Sequence, residues 1–265
     1  MKSLISSFLV CLFLCSTANA QEKKSVITLI SKTKLEANTF VNTDPFGYQY
    51  FIRNNILFKQ KDHELFQYKN LSLGKIKKVD IQNPLKIVLF YEGFNTVVLL
   101  DNQLNETQVI SFSKNQATIM ASAVGLASQN RLWTFNSLTM QLGFYDYLKL
   151  TYTPLAQPFQ QPIRDYDSNF NAFYWIDTSQ GFYSCDVYGK ISSLGKVPAY
   201  ENIQFNTGKG VFYQIDNQLY YYDVKESKSN LIEIDEKSFE SFRFKDQFLI
   251  IFTNSEISTY KFSLP

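Results

Sequence analysis

A unit of about 40 residues recurs along this chain, and a repeat of that length built from strand pairs leaves few folds open. Each copy is an apolar, aromatic-rich run, a short polar turn and a second apolar run, often closed by an Asp. The clearest copies read IVLFYEGFNTVVLLD (residues 87–101), LWTFNSLTMQLGFYD (132–146), AFYWIDTSQGFYSCD (172–186) and VFYQIDNQLYYYD (211–223). Their terminal residues Asp101, Asp146, Asp186 and Asp223 lie 45, 40 and 37 positions apart. The runs are short, β-branched or aromatic, and the Asn, Asp, Ser, Thr and Gly between them tolerate left-handed or self-bonded backbone, so they read as hairpins. Hairpins at this period predict four-stranded blades around an axis, a β-propeller.

Two further hairpins, 47–53 with 56–60 and 248–253 with 257–262, bring the count to six units. Each hairpin supplies the second and third strands of its unit. Innermost strands are expected at 38–42, 76–81, 118–123, 162–166, 203–206 and 239–244. Outer strands are expected at 64–68, 107–112, 150–155, 190–194 and 230–234. The Ala-rich stretch 116–128 is the longest helix candidate, but it contains Gly125 and falls in register with the start of a unit. The sixth unit lacks an outer strand. Residues 26–30, Val-Ile-Thr-Leu-Ile, precede the first unit with no hairpin of their own. They are expected to complete the sixth blade and close the ring, removing two exposed sheet edges. The all-β alternatives are a seven-bladed propeller and a two-sheet sandwich, which also shows short strands at even spacing.

The first twenty residues predict export. Lys2 is followed by an apolar stretch over 4–17, the length of a signal-peptide core and short for a membrane span, and then by Ala18-Asn19-Ala20. Cleavage after Ala20 would leave a single domain over 21–265 in the periplasm or outside the cell. A lipoprotein signal is the rival because of Cys11 and Cys15, but Val10 and Leu14 stand where a small residue would be wanted. No other run approaches the roughly 20 apolar residues of a spanning helix, and the close of the chain after its last strand-like run predicts no C-terminal anchor.

Candidate chemistry is sparse. Beyond the leader one cysteine remains, Cys185, within an alternating run that reads as buried. His63 is the sole histidine and lies in a polar hairpin tip, so no Ser-His or Cys-His pair and no histidine metal site is expected. A formal net charge of +2 and one loose cluster, Lys69, Lys75, Lys77 and Lys78, argue against nucleic acid. Asp165, Asp167, Asn169 and Asn171 mimic the start of a calcium loop, but Phe170 and Ile176 stand where Gly and Glu are needed. The recurrent Asp residues read as turn formers, as does Asp44 in Asp-Pro-Phe-Gly. Asn70 and Asn105 fit the short N-glycosylation pattern.

Residues 83–91 (NPLKIVLFY) with 99–102 (LLDN) resemble a group of secreted, functionally unassigned propeller-like proteins of the Bacteroidetes. The resemblance implies a periplasmic or exported six-bladed propeller and brings no catalytic residues with it.

Two functional readings follow. In the first, the chain is a non-catalytic binding or scaffold module for a protein or envelope polymer, monomeric and without a cofactor. It would use a face that includes Arg53, Glu92, Phe94, Asn95, Ser137, Gln180, Asn217 and Asn254, with Phe94 and Arg53 as anchors. In the second, it is an enzyme acting on a glycan or envelope polymer through Asp165, Asp167 and Glu201 near the axis, since hydrolysis needs two carboxyl groups within roughly 10 Å.

Overall fold

The structure, a computed structural model, describes residues 26–115 and 119–263. Strand β1 (Val26–Lys34) stands apart at the start. Blade 1 follows as β2 (Thr39–Thr43), β3 (Gln49–Arg53), β4 (Ile56–Lys61) and β5 (Glu64–Tyr68). Blade 2 is β6 (Lys78–Asn83), β7 (Lys86–Tyr91), β8 (Thr96–Leu100) and β9 (Glu106–Ser111), and blade 3 is β10 (Ala121–Leu126), β11 (Arg131–Asn136), β12 (Gln141–Asp146) and β13 (Thr151–Pro154). Blade 4 is β14 (Ile163–Ser168), β15 (Ala172–Asp177), β16 (Gly181–Asp186) and β17 (Ile191–Lys196). Blade 5 is β18 (Asn202–Asn206), β19 (Gly210–Ile215), β20 (Gln218–Asp223) and β21 (Lys228–Ile232), and β22 (Ser241–Lys245), β23 (Phe248–Phe252) and β24 (Glu256–Ser263) begin blade 6. The fourth strand of blade 6 is β1, in the order β1-β24-β23-β22. The protein is a six-bladed propeller closed by its N-terminal strand.

The closing strand runs further than the residues 26–30 expected. Antiparallel pairing extends from Val26↔Ser263 to Lys34↔Glu256, with a bulge between Leu29 and Ser31. Glu236 fastens the seam. It pairs with Lys32 of β1 at 3.3 Å and accepts the Tyr260 hydroxyl of β24 at 2.6 Å.

The core is six wedges, one per gap between blades. Side chains alternate along a strand, so β7 sends Ile87, Leu89 and Tyr91 into the gap with blade 1, and Val88 and Phe90 into the gap with blade 3. Both faces of the middle strands are therefore apolar, and their sequences read as unbroken apolar runs. Large rings fill the wedges. Trp133 meets Phe144 at 4.5 Å between ring centres, and Phe159 stacks on Trp175 at 4.2 Å, both in the gap between blades 3 and 4.

The hairpin turns carry the backbone that their residues permit. Asn54-Asn55, Asp216-Asn217 and Asp246-Gln247 take positive φ at both positions, the geometry of tight hairpin turns. The recurrent Asp residues are turn formers: Asp101 Oδ1 accepts the N–H groups of Gln103 and Asn105, Asp146 those of Leu148 and Lys149, Asp186 those of Tyr188 and Lys190, and Asp223 that of Glu226.

Candidate functional site: the axial channel

The first strand of each blade faces the ring axis, and its sequence changes accordingly. Along β6, Val79 and Ile81 turn to the interblade wedge while Lys78, Asp80 and Gln82 line the axis. Along β22, Phe242 and Phe244 pack in the wedge while Arg243 and Lys245 line the axis. Two cavities of about 420 and 340 Å³ occupy the channel and share Thr39, Asp165, Ile203 and Arg243. The larger reaches Lys78, Asp80, Asp167, Ser168 and Lys245; the smaller reaches Glu201 and Glu240.

Inner strands of neighbouring blades do not share a ladder, so their facing edges present backbone groups that need partners. Side chains supply several. Asp80 Oδ2 accepts the Leu126 N–H at 2.8 Å while Gln82 Nε2 donates to the Leu126 carbonyl at 3.2 Å. The Tyr166 hydroxyl accepts from the Val124 N–H at 3.1 Å and faces the Val124 carbonyl at 3.3 Å. Gln204 takes the Phe244 N–H at 2.6 Å and donates to its carbonyl at 2.8 Å. From blade 6 to blade 1, Arg243 Nε donates to the Val41 carbonyl at 2.7 Å and Lys245 Nζ to the Thr43 carbonyl at 3.3 Å.

Blade 3 breaks the sixfold pattern. Its inner strand β10 has no charged or amide residue and contributes nothing to the larger cavity. A Cβ added at Gly125 would lie 1.9 Å from Ser168 Oγ and 3.7 Å from Asp80 Oδ2. This lets blades 2 and 4 meet across it: Lys78 Nζ donates to the Tyr166 carbonyl at 2.8 Å, pairs with Asp167 at 3.3 Å and sits 3.9 Å from the centre of the Tyr166 ring.

Three of the axial carboxylates are engaged. Asp167 holds Lys78. Asp165 accepts the Tyr200 hydroxyl at 2.7 Å and lies 3.6 Å from Arg164 Nε. Asp80 takes two backbone N–H groups, from Leu126 and Gln82. Burial pushes the Asp80 carboxyl above its ordinary range, against the opposing pull of those N–H groups and Lys78. Burial likewise pulls the Arg243 guanidinium below its ordinary value, with Asp167 opposing.

Asp165 and Asp167 line the larger cavity, and Asp165 and Glu201 the smaller, so the candidate acids do converge on the channel. The segment that mimicked a calcium loop is the strand β14 and its turn, where Asn169 Oδ1 accepts the N–H groups of Asn171 and Ala172. His63 lies on the β4–β5 turn, the outermost hairpin of blade 1. Cys185 is buried, and burial pushes its thiol up to about 12.

The residues proposed for a binding face sit on the turns between second and third strands, spread over separate blades. Several hold the fold. Asn95 donates to the Ile119 carbonyl at 2.7 Å and accepts the Ala121 N–H at 2.9 Å, Glu92 pairs with Lys77 at 3.3 Å, and Ser137 Oγ donates to the Met120 carbonyl at 2.9 Å. Gln180 and Asn217 are positive-φ turn residues, and Arg53 lies over the Phe58 ring at 4.8 Å. Phe94 differs. It is exposed beside Gly74, and Leu71, Met120 and Leu138, each more than half exposed, occur on neighbouring loops of the same face.

Sequence reasoning passed over Asp80, Gln204, Arg243 and Lys245, and took Lys78 only as part of a loose basic cluster. Their signal is the charged or amide residue at every second position of a first strand, beside middle strands that are mostly apolar on both faces.

No protein-family model and no curated protein matches this chain. Solved structures do. Virginiamycin B lyase from Staphylococcus aureus is similar at 13% identity and a TM-score of 0.57, over 83% of this chain and 79% of that one. A catalytically inactive His-to-Ala form of that lyase, with quinupristin, is similar at 11% identity and 0.57, over 89% and 99%. PorZ, a surface component of the type-IX secretion system of Porphyromonas gingivalis, is similar at 14% identity and 0.50, over 85% of this chain and 31% of that one. At these identities the likeness carries the propeller fold and nothing finer.

Proposed function

We propose that this chain is a non-catalytic binding or scaffold module, exported to the periplasm or beyond after cleavage at Ala20, with a protein or envelope polymer as its partner. The signal segment lies outside the described residues, and among these no helix is long and apolar enough to cross a membrane. The observation that carries the reading is Phe94 with Leu71, Met120 and Leu138 on successive loops of one face. Exposed apolar residues grouped in this way are a common mark of an interaction surface. The enzymatic reading lacks comparable support. Of its three candidate acids, Asp165 and Asp167 have structural partners, Glu201 lines only the smaller cavity, and the sole imidazole is remote from the channel in the blade order.

Affinity capture from envelope extracts, with the chain as bait, tests the proposal. A partner retained reproducibly by the native chain and lost with Phe94→Asp supports it. Capture of nothing, or capture indifferent to that substitution, counts against it. Mass spectrometry of the exported protein should find Gln21 at the N-terminus.

A further inference from the structure

We propose that the axial channel is also a binding site for a small oxyanion, carboxylate or phosphate, held by Arg243 and Lys245. These residues are two positions apart on β22, so their side chains leave the same face of the strand roughly 7 Å apart. Both line the larger cavity. Every other charged group lining it has an assigned role: Lys77 pairs with Glu92, Lys78 with Asp167, Asp165 lies beside Arg164 and Tyr200, and Asp80 takes two backbone N–H groups. Arg243 and Lys245 instead meet only the neutral carbonyls of Val41, Phe242 and Thr43. Among the described residues neither forms an ion pair, and Asp167, whose charge favours the ionised Arg243, is itself paired with Lys78.

Two cations in a shared, partly enclosed space repel each other and lose hydration, and an unpaired cation away from water is costly. An oxyanion between them would supply the missing charge, and a guanidinium with a nearby ammonium suits carboxylate or phosphate oxygens. The strand is held ready for this. Gln204 clamps both backbone groups of Phe244, the residue between the two cations, while the Val41 and Thr43 carbonyls fix the cationic side chains from blade 1. Lys245 ends its strand beside the Asp246-Gln247 turn, so the pair is reached from the face of the first-to-second-strand turns. Exposed Phe46, Leu85, Phe170 and Phe248 stand on or beside those turns. This face is opposite to the one bearing Phe94.

The test is thermal denaturation of the chain from Gln21 onward, titrated with sodium phosphate and, separately, disodium succinate, each against sodium chloride of equal ionic strength. A saturable rise in melting temperature above the chloride control is expected with at least one anion, and the arm that responds identifies phosphate or carboxylate as the class. Arg243→Gln and Lys245→Gln should each weaken the response at least tenfold in half-saturating concentration, and Lys61→Gln, on the β4–β5 hairpin, should not. If Arg243→Gln fails to fold, Lys245→Gln alone decides. No saturable response to either anion overturns the proposal, as does a response that Lys245→Gln leaves intact. Phe94→Asp should leave the titration unchanged, so this site and the partner face fail separately.

Discussion

Single residues on the axis hold neighbouring blades together by imitating a strand edge. Gln204 is the clearest case, since one amide meets both backbone groups of Phe244. Gln204→Ala should cost about 1–3 kcal/mol, because a partly buried N–H and C=O lose their partners together; urea denaturation measures it. Gly125 answers a different need, room for Ser168. Gly125→Ala should destabilise by about 1–3 kcal/mol through overpacking, and most of that loss should vanish in a Ser168→Ala background. Additive effects in the double variant would refute direct contact as the cause. These roles were only partly legible in the sequence. Asp165, Asp167 and Glu201 were visible as acids near inner strands, but the partners of the first two, Tyr200 and Lys78, come from a separate loop and another blade. Side-chain pairing across a ring is not a local property of the chain.

At the scale of elements, the hairpins were legible to within one or two residues because apolar runs and turn residues mark both ends. The inner strands of blades 1, 4 and 5 were placed as closely, but those of blades 2, 3 and 6 were set two or three residues early. Expected at 76–81, 118–123 and 239–244, they lie at Lys78–Asn83, Ala121–Leu126 and Ser241–Lys245. The error has one cause: Ile76, Ile119 and Phe239 are buried loop residues that cap the interblade wedges, so they look like strand residues without being in strands. The closing strand yields two predictions. Deleting residues 25–32 should lower the melting temperature sharply or drive aggregation, since it bares the β24 edge; an unchanged melting temperature would contradict the seam. The second concerns acid. Burial tends to raise the Glu236 carboxyl, but hydrogen bonds from Ser258, Tyr260 and Lys32 outweigh it, leaving it below its ordinary 4.5. A carboxylate depressed in the folded state adds stability above its unfolded value and loses it as pH falls through the folded one. The seam should therefore weaken below about pH 4.5, and Glu236→Gln should flatten the acid limb of melting temperature against pH.

For the whole molecule, six wedges of apolar contact joined in a ring favour cooperative unfolding. Cys185 reports on it. Buried between blades 3 and 4, with its thiol pushed up to about 12, it has little thiolate at pH 8. A thiol reagent should leave the folded protein unlabelled and modify the chain from Gln21 onward once per molecule in denaturant. Rapid labelling under native conditions would mean that the wedge opens locally.

The seam between β1 and β24 also sets a timetable. Ribosomes make Val26 before any blade and its partner Ser263 only after five of them, so five blades can be finished while the sixth still waits for its inner three strands. Throughout that interval the first strand is a loose thread with no sheet to join, and it can bind any other exposed edge, including that of a second unfinished copy. The arrival of β22, β23 and β24 thus decides whether the product is one ring or an entangled pair.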